Sequence, residues 1–187
     1  MKLFLSLVLF ISINVPAQTD SVFENSRLVK LLMQPGSFVK LVIDTIGSTS
    51  DVHIGLLTAY DLKTETIQRS VCFTAANGFN SIYFSSTNTQ IDIEDLDAFI
   101  AALEKMKEAV DLKTTAAFLS FQYTSSNLTV LNMENRINNK NRWDILLYKR
   151  YKYLNAGVLG SYLTIRGKYI GEVITILDNF KKTLGSN

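Results

Sequence analysis

Cysteine, histidine and proline are almost missing from this chain: one Cys (Cys72), one His (His53) and two Pro (Pro16, Pro35) in 187 residues. A single cysteine excludes an internal disulfide, so packing must stabilise the fold, which a chain of this length can supply. One histidine excludes multi-histidine metal sites and leaves His53 as the only general base of that type. Two prolines leave no Pro-rich linker to divide the chain. Also missing are the G-x-S-x-G, H-E-x-x-H, phosphate-loop and dinucleotide fingerprints. The sequence therefore points away from an enzyme and calls for no cofactor and no metal.

What is present starts with an address. Lys2 gives a positive start, Leu3 to Ile13 form an eleven-residue apolar run, and Val15-Pro16-Ala17 ends in small residues. This is the layout of a secretory signal peptide over residues 1–17, with the mature chain expected from Gln18. The run is about half the roughly 20 residues of a membrane span, so no transmembrane segment is expected after cleavage. The expected location is the periplasm, the cell surface or the medium.

The eleven Phe and eight Tyr supply large surfaces to bury. Cys72, inside Val71-Cys72-Phe73, reads as a buried and inert thiol. Charge is uneven: residues 18–114 carry 8 Lys/Arg against 13 Asp/Glu, and residues 115–187 carry 10 against 4. An acidic first half and a basic second half favour oriented docking or head-to-tail self-association, unless the halves neutralise each other within one fold.

Periodicity divides the chain further. Residues 18–36 form an N-terminal helical segment, with Asp20 as cap, Val22, Phe23, Leu28, Leu31 and Leu32 on one side, and Pro35-Gly36 as the stop. Strands are predicted over 38–46, 52–60, 66–75 and 81–85, followed by a helix that Asp92 caps. In this helix Ile93, Leu96, Phe99, Ile100, Leu103 and Met106 recur at helical spacing. The scheme then repeats, with strands over 116–124, 128–133, 143–153 and 160–166 and a closing helix over 170–184. Shifted by 77 residues, Ile93, Leu96, Phe99, Ile100 and Leu103 fall on Ile170, Val173, Ile176, Leu177 and Phe180. The expected fold is α+β: two tandem ββββα units, over 37–114 and 115–187, with antiparallel curved sheets each closed by a helix. The units are expected to pack as a pseudo-two-fold pair.

Three groups could carry chemistry. His53, on a strand beside a turn, reads as structural because no nucleophile or orienting group is identifiable. Asp92, Glu94, Asp95 and Asp97 could bind a cation. The calcium loop, however, needs Gly at its sixth position and an acid at its twelfth, where Asp97 and Leu103 stand, and helix capping accounts for three of the four. The third group is basic and aromatic: Arg142, Trp143, Arg150, Tyr151, Lys152, Tyr153 and Lys168. On a strand Arg150 and Lys152 share one face while Tyr151 and Tyr153 take the other. Such a set can hold a polyanion, a sugar or a lipid head group, or can form a solvated edge strand that resists pairing.

The export signal, the strand-rich first half and the stretch Ile93-Glu94-Asp95-Leu96-Asp97-Ala98-Phe99-Ile100-Ala101-Ala102-Leu103-Glu104-Lys105-Met106 resemble small exported proteins of Bacteroidetes-type bacteria. That resemblance implies export and transfers no activity. In architecture alone, duplicated ββββα units are similar to the Whirly and positive-cofactor-four single-strand DNA-binding proteins. The expectation is an exported, non-catalytic binding or structural module. Its partner would be a protein, an anionic surface polymer or a second copy. The alternative is a nucleic-acid or other polyanion binder, which the export signal and the acidic first half oppose.

Overall fold

The computed structural model describes residues 26–76, 89–111, 118–136, 139–149 and 162–185. A short helix α1 (Arg27–Met33) leads into strands β1 (Val39–Ser48), β2 (Val52–Asp61), β3 (Ile67–Ala75) and β4 (Thr89–Asp92). A 3-10 turn over Ile93–Asp95 then opens helix α2 (Leu96–Asp111). The second half runs β5 (Ser120–Thr124), β6 (Thr129–Arg136), β7 (Asn139–Lys149) and β8 (Leu163–Arg166). It ends in a 3-10 turn over Gly167–Tyr169 and helix α3 (Ile170–Leu184). Each set of four strands forms an antiparallel sheet in sequential order, followed by its helix. The α+β class and the two four-stranded units agree with the sequence reading. Neither sheet closes on itself.

Four expectations are revised. The fourth strand of the first sheet is Thr89–Asp92, pairing with Ser70–Phe73, whereas residues 81–85 lie outside the described residues. Strand β7 begins at Asn139, earlier than residue 143. Asp92 does occupy the position before the first helical turn, but its side chain makes no capping hydrogen bond. Finally, the helices align at an offset of 74 residues, not 77. Ile93 corresponds to Gly167 and Leu96 to Ile170, so the buried set Leu96, Phe99, Ile100 and Leu103 matches Ile170, Val173, Ile174 and Leu177. A slip of three residues nearly preserves the apolar face of a helix, so periodicity alone could not reject it.

One core spans both halves. Val52, Ile54, Val71, Phe73 and Ile91 from the first sheet meet Leu131, Met133, Ile145, Leu147 and Ile165 from the second, with α2 and α3 contributing. Phe99 links the sheets: its ring lies 5.6 Å from that of Phe73 and 6.2 Å from that of Tyr123. Gly47 lets β1 approach α3, because a Cβ there would come within 2.9 Å of Ile176. A second, smaller cluster lies on the opposite face of the first sheet. There Leu28 and Leu31 of α1 cover Leu57, Ala59 and Cys72. Among the described residues no helix is long and apolar enough to cross a membrane.

Candidate ligand-binding site

Of the seven basic and aromatic residues singled out by the sequence, Arg142, Trp143 and Lys168 are described; Arg150, Tyr151, Lys152 and Tyr153 lie outside the described residues. Arg142 is exposed on β7 and pairs with Asp144 at 3.8 Å. Trp143 is only 3% exposed and packs its ring 6.2 Å from that of Phe121, so it belongs to the core. The next turn fits against it because residue 167 is glycine: a Cβ there would lie 2.8 Å from the Cβ of Trp143. This close approach fixes where Lys168 and Tyr169 emerge.

Around Tyr169 the structure joins Lys168, which the sequence singled out, to Arg166 and Asp51, which it did not. The Arg166 guanidinium lies 4.9 Å from the Tyr169 ring centroid and the Lys168 ammonium 4.6 Å from it. Arg166 is held in place by Asp51, in the turn between β1 and β2. Its Nε donates to Oδ1 at 3.0 Å, its Nη2 donates to the same oxygen at 2.6 Å, and its backbone N–H donates to Oδ2 at 2.9 Å. Partial burial pushes the Asp51 carboxyl up, but the hydrogen bonds and charge of Arg166 outweigh this and hold it below the ordinary range. Hydrogen bonds with Ser50 and Lys168, and the charges of Arg166 and Lys168, likewise hold the Tyr169 phenol below its ordinary range. The partners Asp51 and Arg166 are 115 residues apart, a separation that no local pattern reveals. The only available signal is the run Arg166-Gly167-Lys168-Tyr169 itself.

Along the seam of β1 and α3 lies a hollow of about 390 Å³ lined by Ser48, Gly171, Glu172, Thr175 and Ile176. The Cε of Lys107 in α2 comes within 3.5 Å of where a Cβ of Gly171 would sit. The hollow thus offers two hydroxyls and one carboxylate, while the Tyr169 group offers an aromatic ring with two cations. Cations stacked on an aromatic face suit an anionic or sugar-like group, and the exposed Lys168 is the more accessible of the two.

The other sequence candidates are used structurally. His53 Nε2 lies 3.1 Å from the Ala76 carbonyl oxygen. The four acids do not converge on one site. Asp92 accepts from Ser26, Ser70 and the Arg27 backbone, and Glu94 pairs with Arg27. Asp95 accepts from the Ser126 backbone at 3.0 Å, and Asp97 pairs with Lys181 at 2.7 Å. Burial pushes the Cys72 thiol up, which disfavours its reactive thiolate. Among the described residues no three His, Cys, Asp or Glu side chains are grouped to hold a metal. Compared with protein-family models, curated proteins and solved structures, the chain matches none.

Proposed function

We propose that this chain is an exported, non-catalytic binding module whose ligand is an anionic polymer of the cell surface or periplasm. The observation that carries this reading is the packing of Arg166 and Lys168 against the Tyr169 ring. Two cations gathered against one aromatic ring can neutralise the acidic groups of a sugar or phosphate polymer. Asp51 fixes Arg166, so Lys168, Tyr169 and the exposed Arg142 provide the accessible contacts. The signal-like residues 1–17 support export, and the missing catalytic fingerprints support a binding role. The alternative, a nucleic-acid binder, would use the same cations.

Dextran sulfate, polygalacturonate and single-stranded DNA serve as probes in a titration followed by light scattering or anisotropy. Binding to the acidic polysaccharides should weaken with salt, and Lys168→Ala combined with Tyr169→Ala should weaken it about tenfold. Affinity for the polysaccharides that ignored the double substitution would overturn the site. Preference for the DNA would favour the nucleic-acid reading.

We also infer that the two units arose by duplication and pack as a pseudo-two-fold pair. Two exchanged contacts support this. The β1–β2 turn reaches the second unit's strand-to-helix junction through Asp51 and Arg166. The β5–β6 turn reaches the first unit's junction through Ser126 and Asp95, while Asn127 Nδ2 donates to the Gln90 carbonyl at 3.0 Å.

A further inference from the structure

Three of the large apolar side chains most exposed among the described residues lie at one end of the first sheet: Phe38 (66%), Leu62 (54%) and Ile67 (47%). The Leu62 N–H donates to the Phe38 carbonyl at 2.9 Å, and Ile67 pairs with Tyr60, which pairs with Lys40. Strand alternation places Phe38, Lys40, Tyr60 and Ile67 on the same face. The turn that presents Leu62 is held firmly. Asp61 accepts from the Lys63 backbone at 2.9 Å and from Thr64 Oγ1 at 2.8 Å, and the Asp61 N–H donates to the Thr66 carbonyl. The patch is therefore preformed.

Cations surround it. Lys40, Lys63 and Arg69 are exposed, with Lys40 Nζ 5.8 Å from the Tyr60 ring centroid. Glu65 is the exposed acid of the turn, while Asp61 is buried. This local excess of positive charge runs against the acidic balance of the first half. Beside Ile67, a hollow of about 340 Å³ runs past Arg69 to Ile93 and Glu94.

We propose that this end of the first sheet is a lipid-contact surface that seats on an anionic bilayer. The three side chains expose together on the order of 300 Å², well short of the ~800 Å² that each partner contributes to a stable protein interface. A few apolar side chains entering the headgroup boundary, with cations attracted to acidic lipids, need no such area. Phe38, Leu62 and Ile67 enter the boundary layer, while Lys40, Lys63 and Arg69 remain at the headgroups.

The test places a reporter in the patch of the full chain. Phe38→Trp adds an indole there, and the native Trp143, being buried, supplies a constant background. Vesicles of phosphatidylglycerol or phosphatidylcholine with brominated acyl chains are then titrated in. With phosphatidylglycerol the added emission should shift to shorter wavelength and lose about half its intensity, the depth expected of a boundary-layer contact. With phosphatidylcholine both effects should be weak. Lys40→Glu combined with Arg69→Glu should raise the phosphatidylglycerol concentration required about tenfold. If that variant misfolds, the comparison of the two lipids still decides. Vesicle binding without quenching of the added indole, or equal quenching by both lipids, would overturn the proposal. So would a shift that needs no lipid and grows with protein concentration, which would assign the patch to a second copy.

Discussion

Asp51 and Arg166 show how much one residue pair decides. The carboxylate receives two side-chain donors and one backbone donor from a residue at the far end of the chain, and thereby orients a cation over Tyr169. The pair is partly open to solvent, so its net worth is below that of a fully buried one. Asp51→Asn should cost about 1–2 kcal/mol, measured by urea unfolding at neutral pH. The pH dependence has a definite sign. Because the folded carboxyl titrates below its ordinary 3.8, its contribution is fully present above that value and is lost as pH falls below it. The stability difference between Asp51→Asn and the unsubstituted protein should therefore shrink as the medium is acidified through and below pH 3.8. A difference that stayed constant across that range would separate the pair from the acid response.

At the scale of elements, α1 is the least self-sufficient part of the described fold. Seven residues cannot sustain a helix alone in water, so α1 depends on its contacts. Leu28 and Leu31 provide the apolar ones; Asp92, which also accepts from Ser70 Oγ of β3, accepts from Ser26 Oγ and the Arg27 N–H, and Glu94 pairs with the Arg27 side chain. Asp92→Ala should cost about 2–3 kcal/mol, because it leaves buried donors without their acceptor. It should also loosen α1 over Cys72. Labelling of this single thiol by a disulfide reagent should then speed up at least about tenfold while far-UV circular dichroism changes little. Unchanged labelling would show that α1 stays seated without Asp92. This anchor also marks the limit of what the sequence reveals. Strand alternation and helical spacing located β1 to β3, α2 and α3, since each carries its own repeat over 9 to 16 residues. The four-residue strands β4 and β8 carry too few positions to set a register. Asp92 looked like a helix cap because its place in the chain is that of a cap. Its actual partners lie 22 or more residues away and come from tertiary packing. The candidate site divides in the same way. Lys168 was visible as part of a basic and aromatic run, but the turn that brings Asp51 to Arg166 was not.

Across the whole molecule, some of the opposed charges of the two halves meet across the units. Asp51 and Asp97 come from the acidic half, Arg166 and Lys181 from the basic half, and they form two ion pairs between the units. Part of the expected charge separation is thus neutralised between the units. The shared core makes a stronger claim, because Phe99 of the first unit lies against Phe73 on one side and Tyr123 of the second unit on the other. If one core stabilises both sheets, damage to it from either unit should be felt in both. Phe99→Ala should cost about 3–5 kcal/mol, since the ring is almost fully buried between two layers that cannot readily collapse. The second unit contains Trp143, the chain's only tryptophan, so its fluorescence reports unfolding there. In urea, the Trp143 transition and the far-UV circular dichroism transition should coincide in the unsubstituted protein. Both should move together to lower denaturant in Phe99→Ala. A Trp143 transition that stayed in place while the dichroism shifted would mean that the units unfold independently, and that the contacts between them join two separate cores.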